Sequence, residues 1–383
     1  MFHLRLIVLR LQELRKFNVK IIIDAREYPT STGRYVRKLI ENLEHLESEH
    51  KFVILLLPED FDAYQPNNRN FTKLKAPFPE FSFSEQIGFL RFIRNLKPDL
   101  VHFPMIQQPI FYNGAVVTTP NDLTTARFRN PDTHPLIFAV KLQAYKLVIH
   151  HMAKKSKALL TYTQFVKKDI VDYTHIDASK ITVTLLSADK ITAQAAPYRP
   201  IVGKKFLLYV GRALPHKNII RLLDAFKLLQ NDYPELRLVL VGKKDTQLER
   251  HIAYAKAHNI KNVDVTGYVE EGQLRWLYEN CAAYCFPSLS EGFGLPGLEA
   301  MAHGAPVASS NATCLPEVNG DAAHYFNPLD VEDMANKIND ILTNEKLRKD
   351  LIKKGSEQVK KYSWERMAKQ TLEVYDKVLK SRL

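Results

Sequence analysis

The chain has 383 residues, of which 45% are apolar and 25% charged, a composition typical of a globular protein. It is too long for a single core, so we expect two domains. No apolar run approaches the roughly 20 residues of a membrane span. The three cysteines, Cys281, Cys285 and Cys314, indicate buried reduced thiols rather than a disulfide framework.

The net charge of +12 is concentrated in the first half of the chain. Residues 1–200 carry 28 Lys and Arg against 19 Asp and Glu, whereas residues 201–383 carry 26 against 23. Such asymmetry fits nucleic acid, an anionic membrane surface or an anionic substrate. Because no nucleic-acid motif accompanies it, we expect no nucleic acid partner and favour an anionic membrane surface; a generally basic surface is the alternative.

Residues 1–17 place apolar side chains on one helical face between arginines, a pattern that fits either a helix lying flat on a membrane or an extension before the first domain. From Val19 onward, strand and helix patterns alternate, which predicts a doubly wound parallel sheet. The predicted strands are 19–25, 52–57, 99–103, 115–119, 158–162 and 181–186, and the predicted helices are 35–46, 85–96 and 135–155.

A long irregular segment, residues 58–84, interrupts this alternation. It interleaves basic and aromatic residues and predicts either an acceptor-binding or membrane-contacting flap, or a loop packed on its own aromatic rings. The residues concerned are Phe71, Lys73, Lys75, Phe78, Phe81 and Phe83.

Residues 187–204, with two prolines, have the composition of a linker, and the alternation restarts at residues 206–212. A helix follows from Asn218, a candidate N-cap. Further strands are predicted at 236–241, 263–265, 282–286 and 306–310. From Asp330 the pattern is helical, with a stop near Gly355 and a last helix at 363–380, so we predict a second doubly wound domain.

The stretch 288–302 predicts a glycine loop between a strand and a helix, with Pro296 in the first helical turn and Gly304 as a stop. Glycines on both sides of Phe293 allow a ligand to approach the backbone closely, and a helix amino end favours a phosphate. Glu291 in the loop and Glu299, expected in the first helical turn, border the same site. Carboxylates suit sugar hydroxyl groups; the alternative is a helix-dipole role for Glu299 and solvation for Glu291.

The sequence S-E-G-F-G-L-P-G-L-E-A-M-A of this stretch resembles the signature of the retaining glycosyltransferases of family four. The resemblance implies an α/β GT-B fold, in which two doubly wound Rossmann-like domains face each other across a cleft. Residues 1–195 would form the acceptor-side domain and residues 196–363 the nucleotide-sugar domain. The last helix, 364–383, would pack back on the first domain.

The resemblance also implies roles for individual residues on the donor side. Glu299 would bind the nucleotide ribose and Glu291 the transferred sugar. Arg212 and Lys217 would bind the diphosphate, and the segment at Tyr268 would contact the base. The donor-binding candidates are Gly33, Arg212, Lys217, Tyr268, Val269, Glu291, Gly292, Phe293, Gly294, Leu295 and Glu299.

On the acceptor side the chain departs from the family, which commonly has His-Asp-Leu where this chain has Asn121-Asp122-Leu123. Asn121 can donate a hydrogen bond but cannot act as an acid or base. Asp122 is the candidate for ordering the acceptor, or alternatively forms an Asx turn. His102 could substitute for the missing histidine or be structural. The catalytic candidates are therefore Glu291, Asp122 and Asn121.

The resemblance implies a retaining hexosyl transfer, with a glycan or lipid-linked acceptor. The P-H-K-N and E-G-F-G-L-P segments look most like mannosyltransferases that use GDP-mannose, although UDP-sugar enzymes share most of the motif. Arg212, Lys217 and helix amides would supply the positive charge at the leaving group, so we expect no metal and no cofactor. We expect a cytoplasmic protein, peripheral on the inner membrane face. The rival hypotheses are a UDP-sugar enzyme, a nucleotide-sugar-binding protein that has lost catalysis and, ranked last, a nucleic-acid binder.

Overall fold

The computed structural model describes residues 19–30, 33–80, 82–129 and 131–381. The opening segment considered above as a membrane helix, residues 1–17, lies outside the described residues, as does Phe81. The strands are β1 (Lys20–Asp24), β2 (Lys51–Leu56), β3 (Phe71–Lys75), β4 (Leu100–Phe103), β5 (Val116–Thr118), β6 (Ala158–Thr161), β7 (Ile181–Val183), β8 (Phe206–Val210), β9 (Arg237–Val241), β10 (Val263–Gly267), β11 (Ala283–Phe286), β12 (Val307–Ser310) and β13 (Ala323–Phe326).

The helices are α1 (Gly33–His45), α2 (Leu90–Leu96), α3 (Thr124–Arg127), α4 (Pro135–Lys155), α5 (Gln164–Thr174), α6 (Ile219–Leu229), α7 (Thr246–Ala257), α8 (Glu271–Asn280), α9 (Leu295–Ala302), α10 (Leu315–Asn319), α11 (Val331–Thr343), α12 (Glu345–Val359) and α13 (Trp364–Lys380). A short π-helix at Glu85–Phe89 leads into α2.

The strands form two parallel sheets that have the same order around their first strand. The first sheet runs β3-β2-β1-β4-β5-β6-β7 and the second runs β10-β9-β8-β11-β12-β13. Apolar runs such as Ile21–Ile23 and Phe206–Tyr209 are fully or almost fully buried, as expected for strands covered by helices on both faces. The predicted α/β fold with two doubly wound sheets is confirmed. In such sheets ligands bind at the carboxyl ends of the strands.

The last helix, α13, packs against α1 of the first domain. The Tyr375 hydroxyl group forms a 2.6 Å hydrogen bond with His102 Nδ1, and His102 Nε2 is 2.7 Å from Thr119 Oγ1. At the surface, His50 Nε2 bonds Asp376 Oδ1 at 2.7 Å. The carboxyl-terminal helix is thus held by the first sheet although it follows the second domain in sequence.

Three local expectations differ from the structure. Residues 71–75 are an edge strand rather than part of a flap, because Phe71 is buried and stacks on Phe52 at 4.5 Å. Gly355 lies inside α12 rather than at its end, where a Cβ atom would come 3.1 Å from the Met301 side chain. Asn218 does precede α6, but its side chain caps no amide; its Nδ2 donates instead to the carbonyl groups of Pro287 and Pro328.

Candidate functional site

The carboxyl edges of the two sheets meet through loops of both domains. Thr124 Oγ1 and Ser290 Oγ lie 2.7 Å apart, and Thr163 Oγ1 donates to the carbonyl oxygen of Gly292 at 3.2 Å. A Cβ atom at position 292 would lie 2.5 Å from the Asn121 carbonyl oxygen. Glycine is therefore required there because the backbones of the two domains approach each other closely.

The glycine loop and α9 have the predicted form. Gly294 has φ +97° and immediately precedes the helix, Pro296 lies in its first turn, and Gly304, with φ +74°, follows its end. Glu299 is the fifth helical residue, so the expectation that it lies in the first turn is wrong. Phe293 is 4% exposed and packs edge-on against Tyr362, so only its backbone is available to a ligand.

Glu291 and Lys217 form the central charge pair of the site. Lys217 Nζ donates to Glu291 Oε1 at 2.6 Å, and the two side chains are only 18% and 11% exposed. The Glu291 amide donates to Thr313 Oγ1, which fixes the loop. Burial, together with the Lys217 charge, lowers the pKa of neighbouring His216 to about 4, so this imidazole is neutral at physiological pH.

Asp122 faces this pair from the first domain. Its Oδ1 accepts from the Thr124 amide at 2.8 Å, the Asx-turn geometry considered as the alternative role, and its Oδ2 lies beside Gly292. Burial raises the pKa of Asp122, with the Thr124 hydrogen bond opposing the shift and Glu291 adding to it. Asn121 Oδ1 accepts from the Tyr162 hydroxyl group at 2.7 Å, so its carboxamide is held in place.

Glu299 forms an ion pair across the two domains that the sequence did not predict. Its Oε1 accepts from the Arg34 guanidinium group of α1, and its Oε2 accepts from the Tyr278 hydroxyl group at 3.3 Å. Arg34 also reaches Asp189 of the linker at 3.4 Å. The available signal was the position of Arg34, directly after Gly33 at the helix start facing the cleft.

The other predicted donor-side residues lie at separate positions in the two domains. Gly33 begins α1, where a Cβ atom would collide with the Glu27 and Tyr28 carbonyl groups. Arg212 is 55% exposed and lies 3.9 Å from Asp245, so its guanidinium group is accessible to a ligand. Tyr268 follows the outermost strand β10 and is 81% exposed, with Val269 half-buried beside it. Leu295 is the first residue of α9.

His102 does not belong to the site. It is fully buried, both ring nitrogens are hydrogen-bonded, and burial lowers the pKa of His102 to about 3. Its function is therefore structural. Within the described ranges, no group of three His, Cys, Asp or Glu side chains is arranged to hold a metal ion. The three cysteines are buried and unpaired, as expected.

The site combines two cations, Arg212 and Lys217, with a glycine loop at a helix start. The carboxylates of Asp122, Glu291 and Glu299 lie at the same meeting edges of the two sheets. These groups suit a phosphate beside a polyhydroxylated ring. The fold and the site together define a glycosyltransferase of the GT-B type.

Comparison with known proteins identifies the family. The family model described as glycosyl transferases group 1 matches residues 191–358. The chain is 32% identical over 295 residues to O-antigen chain mannosyltransferase B of Escherichia coli. The aligned residues cover 74% of this chain and 75% of that protein. The chain belongs to this glycosyltransferase family, the family four named by the resemblance above, and is an enzyme of glycosyl transfer.

Two further similarities extend the comparison. A serotype-specific mannosyltransferase of Escherichia coli is 32% identical over 246 residues, which cover 60% of this chain but 30% of that longer protein. A crystal structure of an Anabaena protein in complex with UDP and glucose superimposes with a TM-score of 0.73 at 14% identity, covering 94% of this chain and all of that one. The second similarity is one of fold.

Proposed function

We propose that this enzyme transfers mannose from GDP-mannose to a glycan or lipid-linked acceptor with retention of anomeric configuration. The observation that carries the proposal is the Lys217–Glu291 pair, which is sheltered between the domains and faces Asp122. The names of the mannosyltransferase relatives support the choice of sugar.

In the proposed reaction, the bond between sugar C1 and the diphosphate oxygen breaks while the acceptor oxygen bonds to C1 on the same face. The acceptor proton passes to the departing phosphate oxygen. Arg212 and Lys217 would balance the charge that develops on the diphosphate, without a metal ion. Glu291 would bind the sugar hydroxyl groups, Glu299 the ribose, and Asp122 would accept a hydrogen bond from the acceptor hydroxyl group.

The test begins with the nucleotide. Calorimetric titration with GDP and UDP identifies the base, and we expect GDP to bind more tightly. Incubation with GDP-mannose and a panel of glycan and polyprenyl-linked acceptors, in EDTA, should then give a mannosylated product with an α-anomeric NMR signal. Tighter binding of UDP, a β-anomeric product or activity that requires added metal would each overturn the corresponding part of the proposal.

A second candidate function is nucleotide-sugar binding without catalysis. It is favoured by Asn121, which stands where the family commonly has histidine and whose amide is fixed by Tyr162. This candidate predicts donor binding with neither transfer nor slow donor hydrolysis. Released GDP, measured with a coupled assay at high enzyme concentration, separates the two candidates.

We further propose that the enzyme acts at the cytoplasmic face of a membrane. The excess positive charge of residues 1–200 supports this location, since anionic lipids attract basic surfaces.

A further inference from the structure

Helix α4 is apolar on two opposite sides. Its inner side buries Ile149, Met152 and Ala153 against the first domain. Its outer side exposes Leu136, Val140 and Leu147, each more than 70% accessible. These three residues recur at spacings of four and seven and so share one helical face. A helix of this kind is normally buried on both sides, but no described part of the chain covers the outer face of α4.

The charges beside this face have one sign. The 21 residues of α4 include four lysines and neither aspartate nor glutamate. Lys155 donates to the carbonyl groups of Pro109 and Ile110. Among the described residues, no ion pair involves Lys141, Lys146 or Lys154. Unpaired cations beside exposed apolar side chains complement a surface that is anionic outside and apolar beneath.

The apolar surface continues beyond the helix. His151 Nε2 bonds the Ile110 carbonyl oxygen at 2.7 Å, and the Ile110 amide donates to Gln86 Oε1 at 3.0 Å. These bonds place the loop carrying Phe111, 64% exposed, between α4 and the turn carrying Ile87, 54% exposed. The exposed apolar residues of the first domain therefore lie on neighbouring segments.

The inner side of α4 contacts the acceptor-side loop. The Tyr145 hydroxyl group of α4 interacts with the Thr125 side chain, which lies three residues after Asp122. The helix therefore connects the outer surface directly to the loop at the site. Within the described part of the chain, no helix combines the length and apolar character needed to cross a membrane.

We propose that the outer face of α4 is the surface by which the enzyme docks on an anionic phospholipid bilayer. Leu136, Val140 and Leu147 would enter the interface, while Lys141, Lys146 and Lys154 would bind lipid phosphates. The proposal rests on the membrane location given under the proposed function and assigns it to one surface. It does not depend on the identity of the donor or acceptor.

The test compares two matched substitutions of exposed leucines. Leu147 is 73% exposed on α4, and Leu329 is 63% exposed in the second domain. Vesicle flotation is measured with phosphatidylcholine alone and with a phosphatidylcholine and phosphatidylglycerol mixture, at low and high salt. The wild type should bind only the mixture and dissociate at high salt; L147E should bind about tenfold more weakly, and L329E like the wild type.

Two results would overturn the proposal. The first is that both L147E and the triple variant Lys141→Gln, Lys146→Gln, Lys154→Gln bind vesicles as the wild type does. Docking would then belong to another part of the chain, such as residues 1–18. The other is a concentration-dependent dimer that L147E abolishes without vesicle binding by the wild type, since α4 would then be a contact between copies. GDP binding of every variant without vesicles reports folding and separates failure of docking from failure of the proposed function.

Discussion

The two domains have the same strand order around the first strand, yet their carboxyl edges differ in chemistry. The edge of the second domain carries glycines, Pro296 and the Lys217–Glu291 pair within two short segments. The edge of the first domain presents Asn121, Asp122 and Thr163 from loops after different strands. The edge of the second domain, proposed to bind the donor and called the donor half below, depends on local backbone geometry, which leaves a sequence signature. The edge of the first domain, proposed to face the acceptor, depends on side chains from separate loops.

Exchanging carboxylates on the donor half tests this comparison with the largest expected effect. Glu291→Gln should lower kcat by about 100- to 1,000-fold with little change in nucleotide affinity, because it removes a charge that the proposed reaction places beside the sugar. Glu299→Gln, the matched control in the same motif, should instead weaken GDP binding by about tenfold. Steady-state rates and calorimetry measure both; small and equal effects of the two substitutions would contradict the assignment.

In the first domain, the buried imidazole of His102 should contribute to stability and not to catalysis. Tyr375→Phe leaves His102 Nδ1 buried without its partner, which should reduce the free energy of unfolding by about 2 kcal/mol. The same substitution also removes the hydrogen bond that joins α13 to the first sheet. Chemical denaturation gives the change, with Tyr268→Phe at an exposed position as the control. A kcat that falls more than the stability explains would return His102 to the site.

The ion pair between the halves gives an intermediate effect. Arg34 occupies the carboxylate that ribose is proposed to bind. Arg34→Ala frees this carboxylate, so its effect on GDP affinity should depend on Glu299. Relative to the same substitution in a Glu299→Ala background, it should favour GDP binding by about 1 kcal/mol, or fivefold. Titrations of the two single variants and the double variant measure this coupling. Lys38→Ala, which removes a cation bonded to Asp189 but not to Glu299, is the control and should show none.

The extent to which sequence predicted this structure follows the same division. Alternating buried strands and amphipathic helices predicted both sheets, since their pattern reflects burial of each segment. The glycine loop and the end of the following helix were predictable because Gly294 and Gly304 have positive φ values, which glycine adopts without steric cost. These constraints act on neighbouring residues along the chain.

The errors occurred where distant residues decide the structure. Strand β3 lies within the segment 58–84 that the sequence predicts to be irregular, and its Lys73 Nζ donates to the carbonyl groups of Phe61 and Tyr64, which come from an earlier part of that segment. The sequence predicts a helix stop at Gly355, which instead lies inside α12, where a Cβ atom would come 3.1 Å from the Met301 side chain. The Arg34–Glu299 pair joins residues 265 positions apart, so the position of Arg34 after Gly33 indicates a side chain at the cleft but not its partner.

The smallest expected effect concerns a carboxylate of the first domain. Glu80 lies in a cleft with Asp24 and Glu27 at the carboxyl end of β1. Burial raises the pKa of Glu80 to about 9, and its hydrogen bond with Glu27 adds to the shift. The folded protein therefore keeps a proton on Glu80 that the unfolded chain loses above about pH 4.5, so this group lowers the stability progressively as the pH rises toward 9.

Glu80→Gln should remove this penalty. The free energy of unfolding should match that of the wild type near pH 5 and exceed it by roughly 0.5–1 kcal/mol at pH 8, a value reduced for partial exposure to solvent. Denaturation curves across this range measure the difference, and Glu59→Gln, a substitution in the turn before β3, serves as the control that should show no such trend. A difference that is constant with pH would mean that Glu80 is ionised in the folded protein. Glu80 would then carry a negative charge beside Glu27, whereas Glu291 of the donor half is neutralised by Lys217. The two edges would therefore differ in their charge as well as in their sequence signature.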